Sequence, residues 1–74
     1  MDKYYEIRKR KNGQEELIIA IKDGKLELIV GNKESLNLSG AKVEEDTNKL
    51  ILNSEYFYIK INEKEAQRRK QKYQ

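Results

Sequence analysis

The sequence predicts one small, mainly β domain of the α+β type: an antiparallel meander of about six to seven short strands, then a C-terminal helix. The 74 residues are enough for a single domain. Turn-forming Asn, Asp, Ser and Gly residues recur at short intervals, and the apolar runs between them are too short for stable helices. We therefore divide the chain into an antiparallel β domain, residues 1–61, and a basic C-terminal helix or tail, residues 62–74.

The first three strands are predicted from two turns. Asp23-Gly24 separates the apolar runs Leu17–Ile21 and Leu26–Val30, and Asp-Gly between such runs is a strong hairpin signal. Asn12-Gly13 joins an earlier strand, Tyr4–Arg10, to the second strand in the same way. Two hairpins that share a strand give a three-stranded antiparallel sheet.

Alternation predicts which residues of this sheet share a face. Tyr5 and Ile7 point to one face, and Tyr4, Glu6 and Arg8 point to the other. The next strand places Leu17, Ile19 and Ile21 together, and the third places Leu26, Leu28 and Val30 together. These apolar sets predict the centre of the core.

The second half of the chain predicts shorter strands. Leu36 and Leu38 alternate with Asn37 and indicate one strand, and Ala41 with Val43 indicates another. Segments 49–52 and 55–61 predict a hairpin around Asn53-Ser54, with Phe57, Ile59 and Ile61 on one face and Tyr56, Tyr58 and Lys60 on the other. A sheet of this size must fold over on itself, so we expect a small barrel or sandwich. The order of elements resembles a miniature pleckstrin-homology-like fold, and also small SH3-like barrels with a terminal helix.

The C-terminal segment has the signals of a helix. Asn62 and Glu65 form a capping-box-like start, and the basic residues lie in the later turns, where they complement the helix dipole. Only Ala66 and Tyr73 could face a core, so we expect the helix to dock by its first turn, with a disordered basic tail as the alternative. Removal of residues 67–74 should then cost little stability.

Charge is distributed unevenly along the chain. Residues 1–11 carry five basic and two acidic side chains, and residues 64–74 carry five and one. Residues 12–63 carry six Lys against ten Asp and Glu. Basic ends around an acidic body favour an anionic partner for the ends, although short basic runs also serve solubility alone.

The composition argues against catalysis. The chain has no His and no Cys, the usual bases, nucleophiles and metal ligands. Its four glycines stand singly in turns, so no phosphate-binding loop is predicted, and the Glu44–Asp46 run lacks the pattern of a calcium loop. We predict a non-enzyme without cofactor or metal.

Tyrosine and basic side chains provide the candidate binding residues. Tyr rings beside cations on a sheet stack on single-stranded nucleic acid, and they also dominate protein interfaces. Cross-strand pairing within the sheet would explain any single Tyr. The candidate partner-binding residues are Arg8, Arg10, Tyr56, Tyr58, Lys60, Arg68, Arg69, Lys70 and Lys72.

These patterns favour a non-catalytic module that acts by protein–protein interaction, such as an inhibitor or adaptor from a phage or mobile element that acts on nucleic-acid-handling machinery. The alternative is a small β-barrel that binds nucleic acid through its basic termini and surface Tyr, and a membrane-surface binder ranks third. No apolar run is long enough to span a membrane, so we expect the cytoplasm of a prokaryotic or virus-infected cell. The final strand would expose an unprotected edge, which could pair with a second chain.

Overall fold

Two glycine-containing turns set the geometry of the main sheet. The computed structural model describes residues 2–72. Asp23 and Gly24 both have positive φ, 53° and 74°, as a two-residue type I′ hairpin turn requires, and Gly13 has φ 68°. Both predicted hairpins are therefore confirmed. The elements in chain order are β1 (Lys3–Lys9), β2 (Glu15–Lys22), β3 (Lys25–Val30), α1 (Lys33–Ser39), β4 (Lys42–Val43), β5 (Leu50–Ile51), β6 (Tyr56–Ile61) and α2 (Glu63–Lys72).

The main sheet has four antiparallel strands in the order β3-β2-β1-β6. Tyr5 lies opposite Ile19 on one side and opposite Lys60 on the other. Strands β4 and β5 form a separate two-residue ladder. The fold is thus mainly antiparallel sheet with a C-terminal helix, as predicted.

The predicted closed barrel is wrong, because the four-stranded sheet of the described chain stays open, and the second sheet is only the two-stranded β4–β5 ladder. The reason lies in what covers the main sheet. Helices and the small ladder bury both faces, so the sheet does not have to close on itself. The predicted hairpin around Asn53-Ser54 is also wrong, because β5 pairs with β4 and β6 crosses to β1.

A helix replaces the strand predicted around Leu36 and Leu38. Asn32 caps α1, and its side-chain oxygen accepts the Ser35 N–H at 2.8 Å. Gly40 ends the helix at φ 67° and its N–H donates to Asn37. Alternation over only three residues fits both a strand and one turn of helix. The capping residues Asn32 and Gly40 were therefore a better indication of the structure than the alternation.

The two faces of the sheet take their names from the helices that cover them. The α1 face is packed by α1 and the β4–β5 ladder, and its buried residues are Tyr5, Ile7, Leu17, Ile19, Ile21 and Leu50. The α2 face is packed by α2, and its buried apolar residues are Tyr4, Ile18, Ala20 and Ala66. Strand β2 is central and buried on both faces, which explains why its apolar run does not alternate.

The predicted C-terminal helix is confirmed. Asn62 accepts the Glu65 N–H at 2.8 Å at the helix start, and Ala66 is fully buried against the sheet. Tyr73, the second residue predicted to face a core, lies outside the described residues. Within residues 2–72, no helix has the length and apolar character needed to cross a membrane.

Candidate functional site

Strand β6 forms one edge of the main sheet and holds three of the predicted site residues. Its neighbour on one side is β1, and no described strand lies on the other side. Tyr58 is 40% exposed and Ile59 is 43% exposed, on opposite faces of the sheet, and Lys60 is also exposed. The edge therefore presents apolar surface on both faces at the same level.

The backbone of β6 offers unpaired hydrogen-bonding groups on its open side. The Arg10 N–H donates to the Glu55 carbonyl at 2.9 Å, which makes these residues a hydrogen-bonded position of the β1–β6 ladder. Such positions alternate in an antiparallel pair, so Phe57, Ile59 and Ile61 point their N–H and C=O groups at β1. The N–H and C=O groups of Tyr58 and Lys60 therefore point away from β1, toward the open side of the strand.

The two edges of the sheet differ in how well they are protected. Strand β3 has an irregular register against Ile18 and Ile19, and it packs against β4. Strand β6 pairs with β1 without a register shift over six residues, and it contains no Pro. Bulges, Pro and covering elements are the usual protections of an edge strand. Apart from the charge of Lys60, β6 has none of these protections among residues 2–72.

Aromatic side chains hold the surface of this edge in place. Tyr58 packs edge-to-face on Tyr5, with 5.0 Å between ring centroids and 74° between ring planes. The Arg10 guanidinium lies 5.8 Å from the centroid of the Phe57 ring and donates to the Ser54 carbonyl at 2.8 Å. These side chains give the edge a fixed shape. Tyr56, at the start of β6, is half-buried against the core on the α1 face.

The predicted arginines of α2 and β1 have carboxylate partners within the chain. Arg8 pairs with Glu6, and Arg69 pairs with both Glu6 and Glu15. The Glu6 side chain is only 2% exposed, so it lies in the interior with two guanidinium groups around it. Sequence reasoning missed this cluster because its members lie 54 and 63 positions apart along the chain.

Arg68 forms an exposed pair on α2 with Glu65, which also accepts a hydrogen bond from Arg69 Nε at 3.2 Å. Arg68 Nη2 lies 2.6 Å from Glu65 Oε2, and Arg68 Nε also donates to the same carboxylate. The hydrogen bond from Arg68 lowers the pKa of Glu65 below its ordinary value. Lys70 is half-exposed and Lys72 is exposed.

The two basic segments of the sequence meet at one end of the sheet. Helix α2 starts beside Tyr4, whose hydroxyl donates to Glu63 Oε2 at 3.3 Å, and it reaches Glu15 through Arg69. Glu15 lies opposite Arg8 in the ladder, so α2 ends near the turn from β1 to β2. Lys72 and the basic residues after Arg8 are therefore at the same end. This grouping could not be read from the sequence.

Within residues 2–72, no group of three or more acidic side chains is arranged to hold a metal ion. No protein-family model matches the chain, and neither a curated protein nor a solved structure matches it.

Proposed function

We propose that the chain is a non-catalytic binding module that acts by protein–protein interaction, with the open edge of β6 as its binding element. One feature of the open edge carries the proposal. The N–H and C=O groups of Tyr58 and Lys60 point away from β1, and the exposed side chains of Tyr58 and Ile59 flank them on the two faces of the sheet. A partner strand added to such an edge gains affinity from main-chain hydrogen bonds and specificity from alternate side chains.

The two faces of the edge set the preferred sequence of the partner strand. On the α2 face the strand would meet Phe57, Ile59 and Ile61, which favour apolar side chains. On the α1 face it would meet Tyr58 and Lys60, which favour an aromatic or acidic side chain. The module would act by occupying its partner, as an inhibitor or adaptor does. A partner from nucleic-acid-handling machinery is the hypothesis that the acidic body and basic ends of the chain favour.

The proposal can be tested by NMR titration with a capped synthetic peptide of alternating valine and threonine. We expect the largest amide shifts at Tyr58 and Lys60. The variant Lys60→Pro removes an outward N–H while leaving the pairing with β1 intact, so it should abolish the shifts. The matched control Lys60→Ala keeps the N–H and should keep them. Shifts centred elsewhere, or equal responses of the two variants, would contradict strand addition at β6.

Nucleic-acid binding is a second candidate, and the basic end favours it. Lys70 and Lys72 lie at the same end of the sheet as Arg10 and Lys11, which together could contact a phosphate backbone. Binding of a generic single-stranded or double-stranded oligonucleotide should then weaken steeply with salt. The double substitution of Lys70 and Lys72 by Gln should weaken it, and Lys25→Gln at the opposite end should not. Absent or salt-independent binding would reject this candidate.

A further inference from the structure

The open edge of β6 is complementary to itself. The strand carries one charge, Lys60, among five aromatic and aliphatic residues. A two-fold axis perpendicular to the sheet would bring two copies of β6 together in antiparallel orientation and keep α1 faces and α2 faces on their own sides. Residues that lie opposite each other must then share a face. The two-fold axis must therefore lie at the level of a residue, and the two such registers that pair the most residues of β6 are those centred on Tyr58 and on Ile59.

Hydrogen bonding favours the register centred on Ile59. In that register Tyr58 of one copy lies opposite Lys60 of the second copy. Both residues direct their N–H and C=O groups outward, so the two such pairs of the dimer satisfy all of these groups. A register centred on Tyr58 would instead pair Lys60 with Tyr56. The Tyr56 N–H is already donated to the Asn53 carbonyl at 3.0 Å, so that register leaves a Lys60 carbonyl without a donor.

The side chains of the two copies also fit this register. On the α2 face, Ile59 meets Ile59 of the second copy, and Phe57 meets Ile61 of the second copy, so all the opposed pairs are apolar. On the α1 face, Tyr58 meets Lys60 of the second copy, which places an ammonium beside an aromatic ring. No like charges lie directly opposite each other along the five paired residues, 57–61.

The two ends of the edge carry charges of both signs. Arg10 lies over Phe57 at the start of β6, and Glu63 follows Ile61 at the other end, where α2 begins. Antiparallel pairing brings the start of one strand to the end of the other. In the register centred on Ile59, Glu63 of each copy comes level with both Arg10 and Glu55 of the other, so the charges at the ends do not by themselves select this orientation.

We infer that the strand that occupies the β6 edge is β6 of a second copy of this chain, giving a symmetric dimer with one continuous eight-stranded sheet. The inference rests on the proposed function, because it names the partner of the same edge. A contact of five residues on one strand is smaller than the interface of about 1,600 Å² typical of stable complexes. The dimer is therefore a weak one that forms as protein concentration rises.

Disulfide trapping tests the register directly, because the chain has no cysteine of its own. Opposed Ile59 residues would form a non-hydrogen-bonded pair with Cα atoms about 4.5 Å apart, within the range of a disulfide. Ile59→Cys should give a covalent dimer in a glutathione redox buffer. Tyr58→Cys should cross-link much more slowly, because its symmetry mate is displaced by two residues along the strand, about 7 Å. Lys25→Cys, exposed on the opposite edge, is the background control.

Sedimentation of the unmodified chain over a range of concentrations gives a second, independent measurement. We expect a monomer–dimer equilibrium that Lys60→Pro weakens by about ten-fold or more, since two of the four hydrogen bonds between the copies are lost. Lys60→Ala keeps the N–H and loses only the contact of the ammonium with the Tyr58 ring, so it should weaken the dimer clearly less than Lys60→Pro does. Far-ultraviolet circular dichroism establishes that both variants are folded before they are compared.

The experiments distinguish failure of the dimer from failure of the proposed function. A monomer at every concentration, with Ile59→Cys cross-linking no faster than Lys25→Cys, would overturn the dimer. If the valine–threonine peptide still shifted Tyr58 and Lys60 in that case, the edge would bind a foreign strand, and the proposed function would stand without the dimer. If neither experiment gave a response at β6, both would fall. Faster cross-linking of Tyr58→Cys than of Ile59→Cys would overturn the register centred on Ile59.

Discussion

The two faces of the main sheet differ in the interactions that hold their covering layers. On the α1 face, aliphatic side chains such as Ile19 and Leu50 are buried together, and the covering layer is fixed by helix caps and the β4–β5 ladder. On the α2 face, the buried apolar residues are fewer, and Glu6 lies among them with its carboxylate between Arg8 and Arg69. One sheet is thus covered by hydrophobic contact on one side and partly by ion pairing on the other.

The contrast explains how a helix with almost no apolar stripe can dock. Ala66 lets α2 approach the sheet closely, because it is small and fully buried. Arg69 then joins three carboxylates, those of Glu6, Glu15 and Glu65. Ion pairs in an interior often stabilise little in net terms, because charged groups lose hydration, but removing one partner is costly. The cluster therefore fixes where α2 lies more than it adds to stability.

The largest expected effect comes from the α1 face. Ile19→Ala removes a fully buried side chain from the central strand and should lower the free energy of unfolding by about 2–5 kcal/mol, measured by urea denaturation. Ile59→Ala, at an exposed position of β6, is the control and should cost much less. Similar midpoints for the two variants would mean that the aliphatic face is not the main source of stability.

The next effect tests the ion pairs of the α2 face. Arg69→Met removes one guanidinium from Glu6, which keeps Arg8, so we expect a loss of about 1–3 kcal/mol by urea denaturation. Arg68→Met, on the same helix, is the matched control, because the Arg68 pair is exposed. Equal stability of the two variants would show that the interior cluster is no more important than a surface pair. A clear loss would also revise the expectation that residues 67–74 contribute little to stability.

Local signals account for the part of the fold that the sequence predicted. The positions of Gly13 and Gly24 determined two hairpins and, through alternation, the face on which Tyr4 and Tyr5 lie. Helix α1 was missed because Leu36 and Leu38 span too short a stretch to show a period. The pairing of β6 with β1 is non-local, and no turn residue specifies it. Without that pairing, the closed architecture was the natural expectation.

The candidate site divides in the same way. The exposure of Tyr58 and Lys60 beside each other follows from alternation within one strand, so the sequence could indicate it. The open edge itself depends on strand order, and Ile59 was assigned only to an apolar face. Arg8 and Arg69 look like surface cations in the sequence. Their partners become visible only when the fold brings Glu6 and Glu15 to them.

Alkaline titration gives a smaller effect that compares the two faces. Each face has one buried tyrosine, Tyr4 on the α2 face and Tyr5 on the α1 face. Burial raises the pKa of Tyr4, with a further contribution from the Glu63 carboxylate that exceeds the opposing influence of Lys22. Burial also raises the pKa of Tyr5. A pKa raised by folding favours the protonated phenol in the folded state, so this stabilisation is present below pH of about 10 and is lost as pH rises further.

We therefore expect the thermal midpoint to fall above pH of about 10, and to fall less in Tyr4→Phe and in Tyr5→Phe. The ultraviolet absorbance of tyrosinate measures the two titrations directly when the single variants are compared with the unmodified chain. Identical alkaline profiles for all three proteins would show that neither phenol is linked to folding.

The smallest expected effect belongs to the exposed pair of α2, and it completes the comparison with Arg69. The hydrogen bond from Arg68 lowers the pKa of Glu65, so the pair stabilises the fold above the ordinary Glu pKa of about 4.3 and loses this contribution as pH falls. In Arg68→Gln the pKa of Glu65, followed by NMR of its side-chain carboxyl carbon, should rise toward the ordinary value. The thermal midpoint at neutral pH should hardly change, because water replaces the lost hydrogen bond. A large drop in the midpoint would mean that the exposed Arg68 helps to hold α2 on the sheet, as the more buried Arg69 does.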